Sequence, residues 1–130
     1  MWFNEKVNYV YNESFAKAIS QAGYRPHRVD EREHNDKIDD EIIRQIRRSR
    51  FVVADLTGHR GGVYYEAGFA AGLGIPVFLT CNEEEANNVH FDILQYNCIR
   101  WSYTELDEFT RALNVRIEAV LGKGIFTNGL

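Results

Sequence analysis

This chain has few cysteines and few prolines, and it has no excess of basic residues. Two cysteines are too few for a disulfide framework, and with four dispersed histidines they match no zinc-ligand spacing. The sequence therefore predicts a reduced, cytoplasmic protein without a zinc site. The 15 Lys+Arg residues against 19 Asp+Glu, a net charge of −4, argue against a nucleic-acid polymer as partner.

Long apolar runs are absent as well. No stretch approaches the roughly 18 apolar residues of a membrane span, and the first residues lack the basic and apolar regions of a secretory signal. What the chain does have is 45% hydrophobic and 13% aromatic residues in a length of 130. That is enough to fill one core, and we expect a single domain over residues 1–130.

Helical and extended patterns alternate along the chain. Apolar residues at helical spacing predict helices over 6–22, 38–48, 63–74 and 106–121, the last with Ser102 or Thr104 as N-cap. Short apolar runs predict strands over 24–30, 51–55, 75–81 and 96–101, and the last residues, 122–130, are expected to fray. This order predicts a three-layer, doubly wound α/β fold with a mainly parallel sheet, flavodoxin- or Rossmann-like, whose first strand is very short or missing.

Acidic residues follow two of the predicted strands at the edge where such folds bind ligands. Asp30 and Asp55 end strands, and Glu66 is expected in the first turn of the helix after the glycine loop. There the helix dipole would keep Glu66 ionised, as a nucleophile must be. The simpler alternative is that these acids only cap backbone amides.

An acidic cleft suits cleavage of a sugar–base bond, because the oxocarbenium-like transition state is positively charged. Gly61 and Gly62 lack side chains, so a ribose or phosphate can approach the backbone. One of Tyr64 and Tyr65 is expected to orient Glu66 and the other to join the core. By contrast, Gly68 and Gly72 predict close packing of their helix on the sheet.

The glycine loop differs from the common nucleotide-binding motifs. The loop LTGHRGG is neither a Walker loop nor the dinucleotide fingerprint, which argues against an ATPase or a standard NAD dehydrogenase. Weaker candidates each have a more ordinary alternative. The loop histidines His34 and His90 could line a base pocket, but loop histidines are more often solvated. Cys81 could form a Cys–His nucleophile but is more often a small core residue, and Trp2, Phe3 and Trp101 could stack on a base but aromatic residues more often lie in the core.

The segment ADLTGHRGGVYYEAGFAAGLGIPV resembles the signature of the nucleoside 2-deoxyribosyltransferase superfamily: a strand ending in Asp, a glycine loop, and a helix with Glu in an aromatic-Glu-small-Gly setting. KIDDEIIRQIRRSRFVVADLTG is similar to the segment that precedes that site, and the likeness covers residues 1–101. The run Gly-Val-x-Tyr-Glu is also similar to the related nucleoside 5′-monophosphate glycosidases. The resemblance implies a flavodoxin-like sheet, no metal or redox cofactor, and homodimers or higher oligomers whose partner subunit helps to complete the site.

Position by position, the resemblance implies that Glu66 is the nucleophile and Asp55 the acid near the base or the sugar hydroxyls. The amides around Gly62 would hold a 5′ group. Where the classical transferases carry an Asp six residues before the nucleophile, this chain has Arg60, which favours a phosphorylated or otherwise anionic ligand. The opening MWFNE resembles the family's aromatic loop without its strand, as in a truncated or inactive form. The candidate substrate-binding residues are Phe3, Asp30, Arg60, Gly61, Gly62 and Tyr65.

Three functions follow as hypotheses. The first is an enzyme that cleaves or transfers the N-glycosidic bond of a small nucleoside or nucleotide by double displacement at Glu66. The second is a non-catalytic nucleotide-binding or signalling module with the same fold. The third is a TIR-like NAD hydrolase, in which a glutamate also attacks a ribosyl bond.

Overall fold

The computed structural model describes residues 5–28, 40–58, 61–84 and 98–126. Its helices are α1 (Glu5–Val10), α2 (Ala16–Gln21), α3 (Asp40–Arg48), α4 (Gly61–Gly72) and α5 (Leu106–Leu121), with a π-helical segment, Tyr11–Phe15, between α1 and α2. Its strands are β1 (Val52–Asp55), β2 (Val77–Asn82) and β3 (Ile99–Trp101). The predicted short or missing first strand falls on residues 1–3, outside the described residues.

The chain divides into two compact units. One comprises Met1–Phe3 and Val29–Arg100, and the other Asn4–Arg28 and Trp101–Leu130. Each unit has its own buried residues. The expectation of a single domain remains a prediction.

The sheet lies largely in the first unit. Its strand order is β1-β2-β3, and β1 pairs with β2 in parallel, with Val52 opposite Val77 and Asp55 opposite Thr80. The run FVVAD supplies β-branched and aromatic residues for a strand covered by helices, which is why it reads as almost continuously apolar. The α/β, Rossmann-like class with a parallel sheet is confirmed.

Helices α3 and α4 cover this sheet through two groups of buried side chains. Ile42, Ile46 and Ala70 pack with Val52 and Val77. The second group, Ala54, Leu56, Val63 and Cys81, joins α4 to the ends of β1 and β2. The carboxyl end of β1 is therefore fixed against the first turns of α4.

The second unit is built around the helical segment 5–21 and α5. Phe15 and Phe109 pack with ring centroids 4.8 Å apart, and both are buried. The buried Ser14 and Thr110 hydroxyls are 2.7 Å apart, and Thr110 also donates to the Leu106 carbonyl. The π-helical segment thus carries a polar contact through the centre of this unit, which satisfies two hydroxyls that burial would otherwise penalise.

The predicted strand over 24–30 is wrong for the part that the structure describes, since residues 24–28 are irregular. The Tyr24 amide donates to the Ile19 carbonyl at the end of α2, and Pro26 has no amide to give to a ladder. Arg28 donates to Asn8 Oδ1 at 2.7 Å, and its guanidinium lies 5.2 Å from the Tyr11 ring centre. Burial raises the pKa of Tyr11, and the Arg28 charge opposes that shift.

Two expectations about the end of the chain are also wrong for the residues that the structure describes. Glu105, rather than Ser102 or Thr104, is the N-cap residue of α5, and its side chain makes no capping bond. The segment 122–126 is not frayed: the Gly124 amide donates to the Ala22 carbonyl at 2.7 Å, and the Phe126 amide to the Gly23 carbonyl at 3.0 Å. Backbone pairing, which composition does not reveal, holds this segment.

Candidate active site

Asp55 ends β1 and is 1% exposed. Its Oδ1 accepts a hydrogen bond of 2.7 Å from the hydroxyl of Thr80, its register partner on β2. Thr80 is fully buried, so neither group can exchange this bond for water. This hydrogen bond thus links the side chains of two neighbouring strands.

A second pair of polar residues continues this link beyond the strands. The backbone amide of Asn82 donates to Thr57 Oγ1 at 2.8 Å, and Asn82 Oδ1 accepts from the backbone amide of Glu84 at 2.8 Å. Thr57 and Asn82 are both buried. We call Asp55, Thr57, Thr80 and Asn82 the polar edge. It fixes the carboxyl ends of β1 and β2, and sequence reasoning missed Thr57 and Thr80.

Glu66 lies in the second turn of α4, because the helix begins at Gly61. No acidic residue occupies the first turn, so the predicted first-turn position of Glu66 is wrong. The helix dipole acts mainly within the first turn and gives Glu66 little support. The residue is half-buried, and its helical neighbours at i−3 and i+4, Val63 and Ala70, are both buried. Glu66 therefore lies at the margin of the sheet-facing side of α4.

The glycines and tyrosines of α4 divide between its two sides. Tyr64 packs against the group around Ala54 and Leu56, whereas Tyr65 is 66% exposed. Gly61 is exposed, and a Cβ built there would meet nothing within 4 Å. The backbone at Gly61 therefore has open space beside it, as the sequence predicts. Gly62 is half-buried.

The predicted packing of Gly68 and Gly72 on the sheet is wrong. Both are exposed, and a Cβ built on either would meet nothing within 4 Å. Helical periodicity places them on the side of α4 opposite Val63 and Ala70.

The two cysteines are neighbours without a disulfide. The Cys98 thiol donates to Cys81 Sγ at 3.4 Å, and Cys81 is fully buried among apolar side chains, which confirms it as a small core residue. The hydrogen bond to Cys81 raises the pKa of the Cys98 thiol, and burial and the charge of Asp55 raise it further. A raised pKa disfavours the thiolate, which makes Cys98 a poor nucleophile.

Alkylation measures this directly. At pH 8 we expect iodoacetamide to modify Cys98 in the folded protein at least about tenfold more slowly than in the unfolded chain. Cys81→Ala removes the hydrogen-bond acceptor and should speed the reaction, whereas Cys81→Ser retains an acceptor and should speed it less. Peptide mass spectrometry follows each site. Equal rates in the folded and unfolded chains would contradict this assignment.

Other predicted residues lie elsewhere. Trp101 is 1% exposed and meets the edge of Tyr103 at 5.1 Å, so it has the core role expected as its alternative. Within the described ranges, no group of three or more His, Cys, Asp or Glu residues could hold a metal ion, and no helix is long and apolar enough to cross a membrane. The remaining candidates fall outside the described residues; they are Trp2, Phe3, Asp30, His34, Arg60 and His90.

Residues 2–115 match the model of the nucleoside 2-deoxyribosyltransferase family. The chain belongs to this family. The family match confirms the resemblance drawn from the segment around Asp55 and Glu66, and it extends beyond residue 101 into α5. No curated protein and no solved structure matches the chain significantly. The nucleoside 2-deoxyribosyltransferase family thus accounts for most of the sequence, including every element that forms the polar edge.

Proposed function

We propose that this protein cleaves or transfers the N-glycosidic bond of a nucleoside or nucleotide, with Glu66 as nucleophile and Asp55 as the acid beside it. The observation that carries the proposal is the fixed polar edge: Asp55 is buried at the end of β1, held by Thr80, and α4, which carries Glu66, packs on that same strand end. Membership of the nucleoside 2-deoxyribosyltransferase family supports the reaction class.

The reaction would proceed in two displacements. A carboxylate oxygen of Glu66 forms a bond to the anomeric carbon while the bond from that carbon to the base nitrogen breaks. The base leaves with the electron pair and takes up a proton from Asp55 or from water. Water or a second base then attacks the anomeric carbon, and the bond from that carbon to the Glu66 oxygen breaks with its electron pair left on Glu66. The attacking group loses its proton to Asp55 or to water, and the product is the free sugar or a new nucleoside.

The ligand we propose is a nucleoside or 5′-nucleotide. The open space at Gly61 would admit its sugar or phosphate to the start of α4, where backbone amides point toward an anion. Arg60 would then pair with a 5′-phosphate, and Gly62, Tyr65, Phe3 and Asp30 complete the proposed contacts. We also propose a reducing, cytoplasmic setting, because two cysteines in 130 residues are too few for a disulfide framework.

A substrate panel tests the reaction. The purified chain is incubated with ribo- and deoxyribonucleosides, their 5′-monophosphates and NAD, and released bases are separated chromatographically. We expect free base from at least one nucleoside or nucleotide, and none after Glu66→Ala. A 2-fluoro-sugar analogue should add its glycosyl mass to the intact protein.

Other outcomes would reject the proposal. Release of nicotinamide alone would indicate a TIR-like NAD hydrolase. Stabilisation against heat by nucleotides without any product would indicate a binding module. Base release that persists in Glu66→Ala would remove Glu66 from the mechanism.

A further inference from the structure

The two cysteines of the chain, Cys81 and Cys98, place their sulfur atoms 3.4 Å apart, and no disulfide joins them. Both belong to the unit that carries the sheet. Cys81 lies in β2 and is fully buried, whereas Cys98 stands one residue before β3 and is half-buried. An S–S bond is about 2.05 Å long, so the two sulfurs have to approach by only about 1.4 Å to form one.

Cys81 connects this pair of thiols to the polar edge. The residue before it, Thr80, donates to Asp55 at 2.7 Å. The residue after it, Asn82, donates through its backbone amide to Thr57 at 2.8 Å. Cys81 itself packs against buried side chains of β1 and α4. Because close-packed interiors transmit displacements, a pull on Cys81 toward the other sulfur acts on both hydrogen bonds.

The half-buried Cys98 is the thiol that a dissolved oxidant reaches first. Its thiolate attacks one sulfur of a small disulfide such as glutathione disulfide, and the glutathione that leaves takes up the proton that Cys98 has lost. The sulfur of Cys81 then attacks Cys98 Sγ. The bond to the second glutathione breaks with its electron pair on the glutathione sulfur, which takes up the Cys81 proton. Two protein thiols are thus oxidised, and one glutathione disulfide is reduced to two glutathione molecules.

The two steps differ in rate. The first is slow, because the hydrogen bond to Cys81, burial and the charge of Asp55 raise the pKa of the Cys98 thiol and keep its thiolate scarce. The second is fast, because the attacking sulfur already lies beside its target within the same chain. Such a pair resists brief contact with oxidant and follows a sustained change in redox poise. Disulfides of proteins in reducing compartments are typically transient and of this sensing kind.

We propose that Cys81 and Cys98 are a redox modification site: they form a reversible disulfide under sustained oxidation, and this disulfide displaces the polar edge. The displaced groups hold Asp55, so the disulfide lowers turnover of the N-glycosidic reaction. That regulation rests on the proposed function. The disulfide and the displacement do not, because they are defined by two sulfur atoms and by backbone hydrogen bonds.

Mass spectrometry of the full chain tests the disulfide. The protein is equilibrated overnight in glutathione buffers of increasing oxidised fraction, then unfolded and treated with N-ethylmaleimide, which labels the remaining thiols. We expect two labels on the reduced chain. The oxidised chain should take none and lose the mass of two hydrogen atoms, and dithiothreitol should reverse the change.

Cys98→Ser is the matched control, because it removes one sulfur but keeps a hydroxyl donor at a half-buried position. It should give no species that lacks both a label and a glutathione adduct. Two labels on the parent chain in every buffer, glutathione adducts alone, or disulfides only between chains would overturn the proposal.

Amide hydrogen exchange, followed by NMR, tests the displacement of the polar edge. In the oxidised chain the Asn82 amide, which donates to Thr57, should exchange at least about tenfold faster than in the reduced chain. In Cys98→Ser the same amide should exchange at one rate with and without oxidant. Unchanged exchange at Asn82 in the oxidised parent would show that the disulfide leaves the polar edge in place, contrary to the proposal.

Turnover separates this inference from the proposed function. On a substrate that the reduced chain cleaves, the disulfide should lower turnover at least about tenfold, and dithiothreitol should restore it. Cys98→Ser should keep its turnover in both buffers. Full turnover in the disulfide form would reject the regulation and leave the proposed function standing. A reduced chain that cleaves no substrate would reject the proposed function, while the mass and exchange measurements still decide whether the modification site exists.

Discussion

Glu66→Gln is expected to lower turnover of the best substrate by at least about 10³-fold while leaving the folded structure unchanged. The amide has nearly the shape of the carboxylate but cannot form the glycosyl ester, because its lone pairs are poorly nucleophilic and it carries no charge. Glu66 is half-buried at the margin of α4, so the exchange requires no repacking. Single-turnover base release, followed by chromatography, measures the loss.

The control for this experiment is Glu83→Gln, which removes one negative charge from an exposed position just after β2. It should leave turnover within about twofold of the parent, since a screened surface charge has little influence. A similar loss in both variants would point to a general effect of charge. Full activity in Glu66→Gln would reject Glu66 as nucleophile.

Gly23→Ala is expected to be the most destabilising of the small substitutions considered, by about 3 kcal/mol, with a fall in Tm of roughly 10 °C. Gly23 has a φ of +93°, and a Cβ there would lie 2.4 Å from the Gly124 carbonyl oxygen. Backbone is in the way, so no side chain can rotate to relieve the overlap. The pairing of segment 122–126 with the end of α2 would have to open.

Gly122→Ala and Gly74→Ala separate the two causes. These glycines have φ values of +76° and +80°, but a Cβ on either would meet nothing within 4 Å. Gly74→Ala should therefore cost about 1 kcal/mol, the strain of the conformation alone. Gly122→Ala should cost about 2 kcal/mol, because its ψ of 177° lies in a region that essentially only glycine adopts. Thermal unfolding of the three variants gives the comparison, and equal losses at Gly23 and Gly74 would show that the close approach to Gly124 contributes nothing.

Local patterns predicted those elements whose residues are determined by burial. The runs that became β1 and β2 are apolar because helices cover them, and Leu113 and Ile117 keep helical spacing because both are buried in α5. The strand predicted over 24–30 is absent from the described residues 24–28 for a different reason. Its apolar and β-forming residues serve as side-chain contacts, such as the bond from Tyr24 Oη to the Gly122 carbonyl at 2.8 Å, which no local pattern encodes.

The sequence predicts the acidic residues of the candidate site but not the residues that hydrogen-bond to them. Asp55 stands out because it ends an apolar run. Its partner Thr80 is identified only by the register of β1 on β2, which depends on how distant segments pair. The same register brings Thr57 to Asn82. Glycines at 61 and 62 are typical of loops, yet here they begin α4, so Glu66 lies one turn further into the helix than the sequence predicts.

The lack of charge in α4 has a consequence for the chain before it folds. From Gly61 to Asn82 the sequence carries one ionisable acid or base besides its tyrosines and Cys81, and that residue is Glu66. The stretch is rich in aromatic and β-branched residues, but it also holds five glycines and Pro76, which oppose the extended pairing of aggregating chains. Glycine and proline thus offset the scarcity of charge in this stretch while the chain is unfolded.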